Sequence, residues 1–394
     1  MSSAVINRTR ALNRLRWRWA AFIIACLCFL SAGFILLNAA WGPDYAQRWL
    51  LISAVVSFYL AILIWFSLEH NHRPGENRLI PSFGIGSSIT LGRGLLLAGL
   101  AGFLTLPLPD GFLAWLPGML YLTAGLLDYF DGYLARRTNQ VTVLGEILDI
   151  RLDSLGVFAA ALLAIQYGQL PYWYLLVAFA RYIYLFGLWL WRRAGFEVHE
   201  LPPSVSRRLF AGLQMGFLTV MLLPLFSPPG THIAALLFAM PFLVGFTRDW
   251  LYAAGILRTS ERPDSEIIPI FNQWASLSIR LAVSTTIVLL ISQSIGNLSN
   301  LSSPMALMIL VNLLVAVTIA FGIAGRLFAV IGLCMLGFAQ MYTPLTTVQI
   351  LLAAGYVALI YLGTGAYSLW KPEDRVLFYH RGAPRVKPVQ VEPA

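Results

Sequence analysis

Long apolar segments alternate with short polar ones along almost the whole of the 394-residue chain. Twelve of these segments are long enough to cross about 30 Å of hydrocarbon as α-helices. They lie near residues 19–41, 49–68, 88–106, 111–135, 145–167, 171–191, 208–227, 231–256, 277–296, 304–324, 327–343 and 346–369. The pattern therefore predicts an all-α, multi-pass integral membrane protein with about twelve transmembrane helices.

The composition supports this fold class, because 58% of the residues are hydrophobic and only 11% are charged. Soluble domains carry about 25% charged residues. The net charge of +9 does not predict nucleic-acid binding, since the arginines cluster at the ends of apolar segments, where the positive-inside rule explains them. The three cysteines lie within predicted spans and indicate neither a disulfide framework nor a zinc site.

The basic residues also predict the orientation of the chain. Five arginines between residues 8 and 18 precede or open the first apolar segment. With twelve crossings, the later basic groups fall on the same side, and the intervening loops, such as LPLPDG, carry almost no positive charge. That side should be cytoplasmic. We therefore expect a protein of the cell (inner) membrane with both termini in the cytoplasm.

The distribution of charge divides the chain further. From residue 267 to residue 370 there is no acidic residue, and only Arg280 and Arg326 are basic. We expect four regions in the chain. They are two N-terminal transmembrane helices in residues 1–70, a central core in residues 71–265, a four-helix membrane module in residues 266–370 and a basic cytoplasmic tail in residues 371–394.

Four aspartates interrupt the apolar sequence in LLDYFDGYLARRTNQVTVLGEILDIRLDSLG, which begins at residue 126. The spacing predicts two acidic helix faces. One face holds Asp128, Asp131, Gly132 and Ala135, and a face of the next helix holds Gly145, Asp149 and Asp153. Because a short connection joins the two helices, they should be antiparallel neighbours whose acidic faces meet near the cytoplasmic ends.

Four ionised carboxylates this close together repel one another, and divalent cations would resolve the conflict. Oxygen ligands suit Mg²⁺ or Mn²⁺, and four carboxylates carry enough charge for two such ions. Two ions about 4 Å apart are a common arrangement for phosphoryl transfer. The alternative is structural, with the acids paired to Arg136, Arg151 or Arg181 and the small residues serving helix packing.

The complete spacing, Asp-x-x-Asp-Gly-x-x-Ala-Arg, eight residues, Gly-x-x-x-Asp-x-x-x-Asp, resembles the signature of the CDP-alcohol phosphatidyltransferases. The resemblance implies a six-helix core, about residues 75–260, with a cavity open to the cytoplasm. It also implies that Asp128, Asp131, Asp149 and Asp153 bind two divalent cations, Mg²⁺ or Mn²⁺, with Asp153 acting as general base. Contacts to the CDP moiety are implied for Asp128, Gly132, Ala135, Arg136 and Gly145.

Two further segments carry weaker similarities. Residues 87–93, SSITLGR, resemble the family's Asn-x-Ile-Thr-x-x-Arg, with Ser87 at the asparagine position. This resemblance implies that Thr90 and Arg93 contact the nucleotide. The segment GTGAYSLWKPEDR near the C-terminus is faintly similar to DoxX-type four-helix proteins, and it implies no function.

The reaction implied by the resemblance belongs to phospholipid biosynthesis. A phosphatidyl group passes from a CDP-alcohol lipid donor, CDP-diacylglycerol, to an acceptor hydroxyl, and CMP is released. Arg151 and Arg181 lie at about the depth of the aspartates, and a guanidinium binds a phosphate bidentately. They therefore favour a polyol-phosphate acceptor, glycerol 3-phosphate first and inositol phosphate second. Choline, serine and diacylglycerol stay open as alternatives.

Two other functional classes also fit some of these features. A cation-coupled transporter would explain twelve helices and buried acids, but such folds usually contain internal repeats, and the acidic cluster has no counterpart after Glu266. The second class is a catalytically inactive scaffold that retains the metal site. The sequence leaves open whether the chain forms a homodimer.

Overall fold

The computed structural model describes residues 3–138, 141–199, 201, 205–257, 267–295, 303–340, 343–365, 367–370 and 372. Within these ranges the fold is all-α, which confirms the predicted class, and each of twelve α-helices overlaps one predicted apolar segment. The helices are α1 (Ser3–Trp41), α2 (Pro43–Ser67), α3 (Ile85–Ala101), α4 (Leu116–Arg137), α5 (Val143–Gln166), α6 (Leu175–Arg193), α7 (Val205–Leu222), α8 (Gly230–Ala253), α9 (Ile267–Ile295), α10 (Ser303–Phe321), α11 (Gly325–Gln340) and α12 (Thr347–Leu362).

Six helical segments in the described ranges are long and apolar enough to cross a membrane, and they fall in α1, α2, α4, α6, α8 and α9. Five further apolar helices, in α3, α7, α10, α11 and α12, are shorter. The remaining helix, α5, carries Glu146, Asp149, Arg151 and Asp153 along its first half. The protein is therefore a multi-pass membrane protein, and the number of twelve crossings stays a prediction.

The chain forms two compact units. The first comprises residues 1–203 and 211–257, and the second comprises residues 204–210 and 258–394. Helices α1 to α6 and α8 belong to the first unit, and α9 to α12 belong to the second. The region boundaries expected at residues 70, 265 and 370 stay predictions.

Helix α3 occupies the middle of the first unit, where it packs against α2, α4 and α5. The indole nitrogen of Trp49 on α2 donates a hydrogen bond of 2.9 Å to the carbonyl oxygen of Gly99 on α3. A Cβ atom added at Gly102 would lie only 2.1 Å from the hydroxyl oxygen of Ser53. Small residues at these two positions therefore let α2 approach the α3 backbone closely, as in other membrane helix pairs.

The first turn of α5 is fixed by its own cap and by the segment before α3. The Thr142 hydroxyl accepts a hydrogen bond of 3.1 Å from the backbone N–H of Gly145, which is the usual role of an N-cap threonine. The backbone N–H of Val143 donates to the carbonyl of His72, 3.0 Å away. The side-chain amide of the fully buried Asn71 donates to the Ile80 carbonyl at 2.8 Å and so links the two ends of the segment 71–80 before α3.

The far ends of α3 and α5 are also joined. The side-chain oxygen of Gln166, at the end of α5, accepts a hydrogen bond of 2.7 Å from the backbone N–H of Thr105, just after α3. The amide nitrogen of Gln166 donates to the carbonyl of Leu106. Helices α3 and α5 are thus held together near both ends, and this fixes the register of their side chains.

The second unit is a bundle in which α9 packs against α10 and α12, and α11 packs against α10 and α12. Its two buried arginines bind backbone groups near the end of α12. Arg280 Nη1 donates to the carbonyl of Thr364 at 2.8 Å and to the Ser368 hydroxyl at 2.9 Å, and Arg326 Nε donates to the carbonyl of Ile360 at 3.1 Å. Arg326 thus satisfies a carbonyl in the last turn of α12, where helix carbonyls lack intrahelical partners, and Arg280 binds the segment that follows the helix.

Candidate active site

The four aspartates converge inside the first unit. One carboxylate oxygen from each of Asp128, Asp131 and Asp149 lies within 4.8 Å of the other two. Asp131 is buried, whereas Asp128 and Asp149 are half-buried. The helical spacing explains this convergence, since each pair of aspartates recurs on one face of α4 or α5. The acidic faces predicted from the sequence therefore do meet.

Helix α3 supplies a cation to the centre of this cluster. Arg93 is only 3% exposed, and its Nη1 donates to Oδ1 of Asp149 at 2.9 Å and to the carboxylate of Asp128. Its Nη2 donates to the carboxylate of Asp153, and its Nη1 lies 3.9 Å from Oδ2 of Asp131. One guanidinium thus contacts all four aspartates, and it offsets the repulsion that the carboxylates would otherwise exert on one another.

Thr90 lies one turn before Arg93 on α3. Its hydroxyl donates a hydrogen bond of 2.8 Å to Oδ2 of Asp131. Thr90 and Arg93 therefore contact the aspartates directly, while their predicted contacts to a nucleotide stay predictions. The sequence analysis missed this pairing, although the SSITLGR segment had already marked both residues as candidates.

The structural alternative paired the aspartates with Arg136, Arg151 or Arg181, and the structure describes the side chains of the last two. Arg151 and Arg181 are exposed, and neither forms an ion pair with the described aspartates. The side chains of Ala135 and Arg136 lie outside the described residues, so their predicted roles stay predictions.

The glycines of the signature lie where the two acidic helices begin or end. Gly132 is partly buried and follows Asp131 on α4. A Cβ atom at Gly145 would lie 3.3 Å from the hydroxyl oxygens of both Ser87 and Thr142. The absence of a side chain at Gly145 therefore keeps the space between the starts of α3 and α5 open.

A cavity next to this space was not predicted from the sequence. It has a volume of about 310 Å³, and Arg73, Arg78, Ser82 and Thr142 are among the residues that line it. Thr142 is also the residue that caps α5 and borders Gly145. Glu76 also lines the cavity and lies 3.7 Å from Arg73, so the lining beside the start of α5 carries a net charge of only +1.

The donor atoms of the cluster suit a hard divalent cation. All four candidate ligands are carboxylates, and Mg²⁺ and Mn²⁺ prefer oxygen ligands of this kind. Three of these carboxylates already lie within 4.8 Å of one another. Asp128, Asp131, Asp149 and Asp153 therefore fit the divalent cations that the sequence analysis expects.

Comparison with known proteins picks out the same region. Residues 83–247 match the family model for CDP-alcohol phosphatidyltransferase. A CDP-diacylglycerol–glycerol-3-phosphate 3-phosphatidyltransferase of Wigglesworthia glossinidia brevipalpis is 30% identical over 111 residues, which is 27% of this chain and 60% of that protein. The protein of the same name from Bacillus subtilis (strain 168) is 37% identical over 70 residues, 18% of this chain and 36% of that protein.

A third relative has a different name. A cardiolipin synthase (CMP-forming) of Streptomyces coelicolor is 37% identical over 84 residues, 21% of this chain and 37% of that protein. The chain thus spans between 36% and 60% of the length of these curated relatives. No solved structure matches it. The region matched by the family model runs from just before α3 into α8 and includes all four aspartates.

Proposed function

We propose, from the match of residues 83–247 to the CDP-alcohol phosphatidyltransferase family model, that the protein transfers a phosphatidyl group from CDP-diacylglycerol to an acceptor hydroxyl. CMP is the second product, and the reaction belongs to phospholipid biosynthesis. The observation that carries the proposal is the convergence of the signature carboxylates of α4 and α5 around one buried site. The names of the relatives support the same reaction class.

The carboxylates of Asp128, Asp131, Asp149 and Asp153 are the groups that would hold two divalent cations, Mg²⁺ or Mn²⁺. When bound, such ions neutralise negative charge on the diphosphate of the donor. The residues of α3 support the carboxylates from the side, since Thr90 donates to Asp131 and Arg93 to the other three aspartates. The hydrogen bond from Thr90 would fix the orientation of Asp131 as a ligating group.

Asp153 is the proposed general base. Its carboxylate takes the proton of the acceptor hydroxyl, and that oxygen forms a bond to the β-phosphorus of the donor. The bond between this phosphorus and the bridging oxygen breaks, and CMP leaves with the oxygen. A base of this kind must lie within about 3 Å of the hydroxyl, or reach it through one water. Asp153 is partly exposed, which leaves its carboxylate accessible to an acceptor.

We assign the nucleotide half of the donor to the space between the starts of α3 and α5, at the proposed cytoplasmic ends of these helices, and call this space the nucleotide groove. Gly132, Ala135, Arg136 and Gly145 are the proposed contacts, together with Asp128, Thr90 and Arg93. The open space at Gly145, bordered by Ser87 and Thr142, supports this placement. The cavity beside this space is also lined by Arg78, whose positive charge would attract an anionic nucleotide, whereas Arg73 pairs with Glu76.

Glycerol 3-phosphate is the proposed acceptor. Arg151 and Arg181 are exposed and form no ion pair with the aspartates in the described part of the chain, so their guanidinium groups would be able to bind the phosphate of the acceptor. Relatives named for glycerol 3-phosphate support this choice. Phosphatidylglycerol is a second candidate, because one relative is named a CMP-forming cardiolipin synthase.

The orientation proposed from the basic residues places this site on the cytoplasmic side of the cell (inner) membrane, with both termini in the cytoplasm. In that arrangement the acyl chains of the donor stay in the bilayer while its head group reaches the aspartates. A cation-coupled transporter would not require the nucleotide-binding signature, so the proposal favours the enzyme.

The decisive experiment incubates the purified full-length protein with CDP-diacylglycerol, Mg²⁺ or Mn²⁺ and one acceptor at a time. We expect CMP release that requires the cation and is fastest with glycerol 3-phosphate. CMP release only with phosphatidylglycerol would support the family reaction but contradict glycerol 3-phosphate as the acceptor. A folded protein that releases no CMP with any acceptor would reject the proposed reaction.

A further inference from the structure

Arg93 and the proposed cations compete for the same oxygen atoms. The guanidinium is almost fully buried and donates hydrogen bonds to Asp128, Asp149 and Asp153. These three carboxylates are also proposed ligands of the divalent cations. A lone pair that accepts an N–H is less available to a metal, and a positive charge at the centre of the cluster repels a second one.

We propose that Arg93 is the resident counter-cation of the aspartate cluster, and that it exchanges with the divalent cation. Metal binding displaces the guanidinium from the carboxylates, and the guanidinium then binds an anionic oxygen of the donor diphosphate. This inference rests on the proposed function, because it takes the four aspartates as the metal ligands.

The charges of the groups explain why such an exchange is needed. Four carboxylates without a cation carry four negative charges in a small, partly buried space, and the positive charge of Arg93 offsets one of them. Two divalent cations would add four positive charges, so Arg93 would then lie in a site that is no longer negative. A diphosphate anion beside the cations restores the attraction, and a guanidinium binds phosphate oxygens well.

The structure around Arg93 allows the side chain to move while α3 stays in place. Thr90, one turn earlier, holds Asp131 through its own hydrogen bond of 2.8 Å, so this aspartate keeps a partner when Arg93 leaves. The arginine side chain has several rotatable bonds, and only its outer part has to change direction.

The test measures Mn²⁺ binding by electron paramagnetic resonance on the full-length protein in detergent without donor. Removing a competing charge should strengthen binding, so Arg93→Gln should lower the Kd for Mn²⁺ about tenfold, within the usual range of coupling between two sites. Arg93→Lys should have a Kd for Mn²⁺ between those of the unmodified protein and Arg93→Gln. Arg137→Gln is the matched control, because Arg137 is an exposed arginine of α4 that contacts Tyr133 instead of the aspartates. It should leave the Kd unchanged.

A second titration separates exchange from simple structural pairing. With Mn²⁺ saturating and CDP as the probe, Arg93→Gln should weaken CDP binding about tenfold, because the displaced guanidinium is then a diphosphate ligand. Arg137→Gln should not change it. A purely structural Arg93 would leave CDP affinity unchanged in a folded Arg93→Gln protein, and that result would overturn the exchange.

The remaining outcomes are also distinguishable. If Asp149→Asn abolishes Mn²⁺ binding but Arg93→Gln binds Mn²⁺ no more tightly than the unmodified protein, the proposed function stands and the counter-cation inference is wrong. If the unmodified protein binds no Mn²⁺ and releases no CMP, both are wrong. If Arg93→Gln does not fold, Arg93→Lys decides, and a Kd equal to that of the unmodified protein contradicts the inference.

Discussion

The hydroxyl of Thr90 on α3 lies 2.8 Å from Oδ2 of Asp131 on α4, and it donates a hydrogen bond to this carboxylate. The same hydroxyl oxygen is 3.1 Å from the carbonyl oxygen of Gly86, one turn earlier on α3. A hydroxyl has one proton, so these two oxygens share it. The contact makes α3 part of the acidic site, which the sequence had placed on α4 and α5 alone.

Replacing Thr90 by valine should weaken metal binding. Valine keeps the shape of threonine but removes the donor that orients Asp131, and outer partners of this kind are commonly worth about 10–100-fold in metal affinity or activity. We expect at least a severalfold rise in the Kd for Mn²⁺. Thr123→Val on α4 is the control, since the Thr123 hydroxyl is exposed and donates to Met119 on its own helix. Equal affinities in the two variants would show that the Thr90 contact does not support the site.

The central carboxylates should be essential for turnover. Asp149→Asn keeps the size of the side chain and removes its charge, so we expect loss of CMP release and of Mn²⁺ binding without loss of helical content by circular dichroism. Glu146→Gln makes the same chemical change at an exposed residue three positions earlier on α5. It should retain near-normal activity. A near-normal rate for Asp149→Asn at limiting Mg²⁺ would contradict the metal assignment.

The sequence predicted the helices and the acidic faces because both depend on local spacing. Apolar segments of sufficient length form helices in a membrane, and aspartates three or four positions apart share a helix face. The partner of those aspartates was not predictable in this way. Arg93 precedes Asp128, Asp149 and Asp153 by 35, 56 and 60 residues, so their contact depends on how α3 packs against two other helices.

The packing of the N-terminal helices was unpredictable for a similar reason. The sequence predicted two N-terminal transmembrane helices in residues 1–70 but not their contacts, and Trp49 of α2 donates to the carbonyl of Gly99 in the helix that carries Arg93. Nothing in the local pattern of α2 indicates a partner about 50 residues away. The small residues Gly99 and Gly102 on α3 were the available signal, since they mark a close helix contact.

Replacing Gly102 by alanine should destabilise the first unit. The new Cβ atom would lie 2.1 Å from the Ser53 hydroxyl oxygen and 2.5 Å from the Trp49 ring, and overpacking of this kind costs about 1–3 kcal/mol. We expect a lower melting temperature in detergent. Gly92→Ala on the same helix is the control, because its Cβ atom would meet nothing within 4 Å. If the melting temperature of Gly102→Ala is no lower than that of Gly92→Ala, α2 moves to accommodate the methyl group without loss of stability.

Arg280 should matter for the stability of the second unit and not for the chemistry. Arg280→Gln removes a donor to the buried Thr364 carbonyl, and a buried acceptor left unsatisfied costs about 1–3 kcal/mol. We expect a lower melting temperature by tryptophan fluorescence, with the rate of CMP release unchanged well below that temperature. Arg280→Lys should be intermediate, since it keeps the charge but not the forked donors. Loss of CMP release from a folded Arg280→Gln protein would contradict the placement of the active site in the first unit.

Gly145 offers the sharpest test of the nucleotide groove. Its missing Cβ atom would lie 3.3 Å from the hydroxyl oxygens of Ser87 and Thr142, so a methyl group there narrows the space assigned to CDP. Gly145→Ala should therefore raise the KM for CDP-diacylglycerol while changing the melting temperature little. Gly125→Ala on α4 is the matched control, because its Cβ atom would meet nothing within 4 Å. Alanine in place of a helical glycine should stabilise that variant by about 0.5–1 kcal/mol and leave its KM unchanged. If Gly145→Ala and Gly125→Ala share the same KM, CDP does not bind against the start of α5.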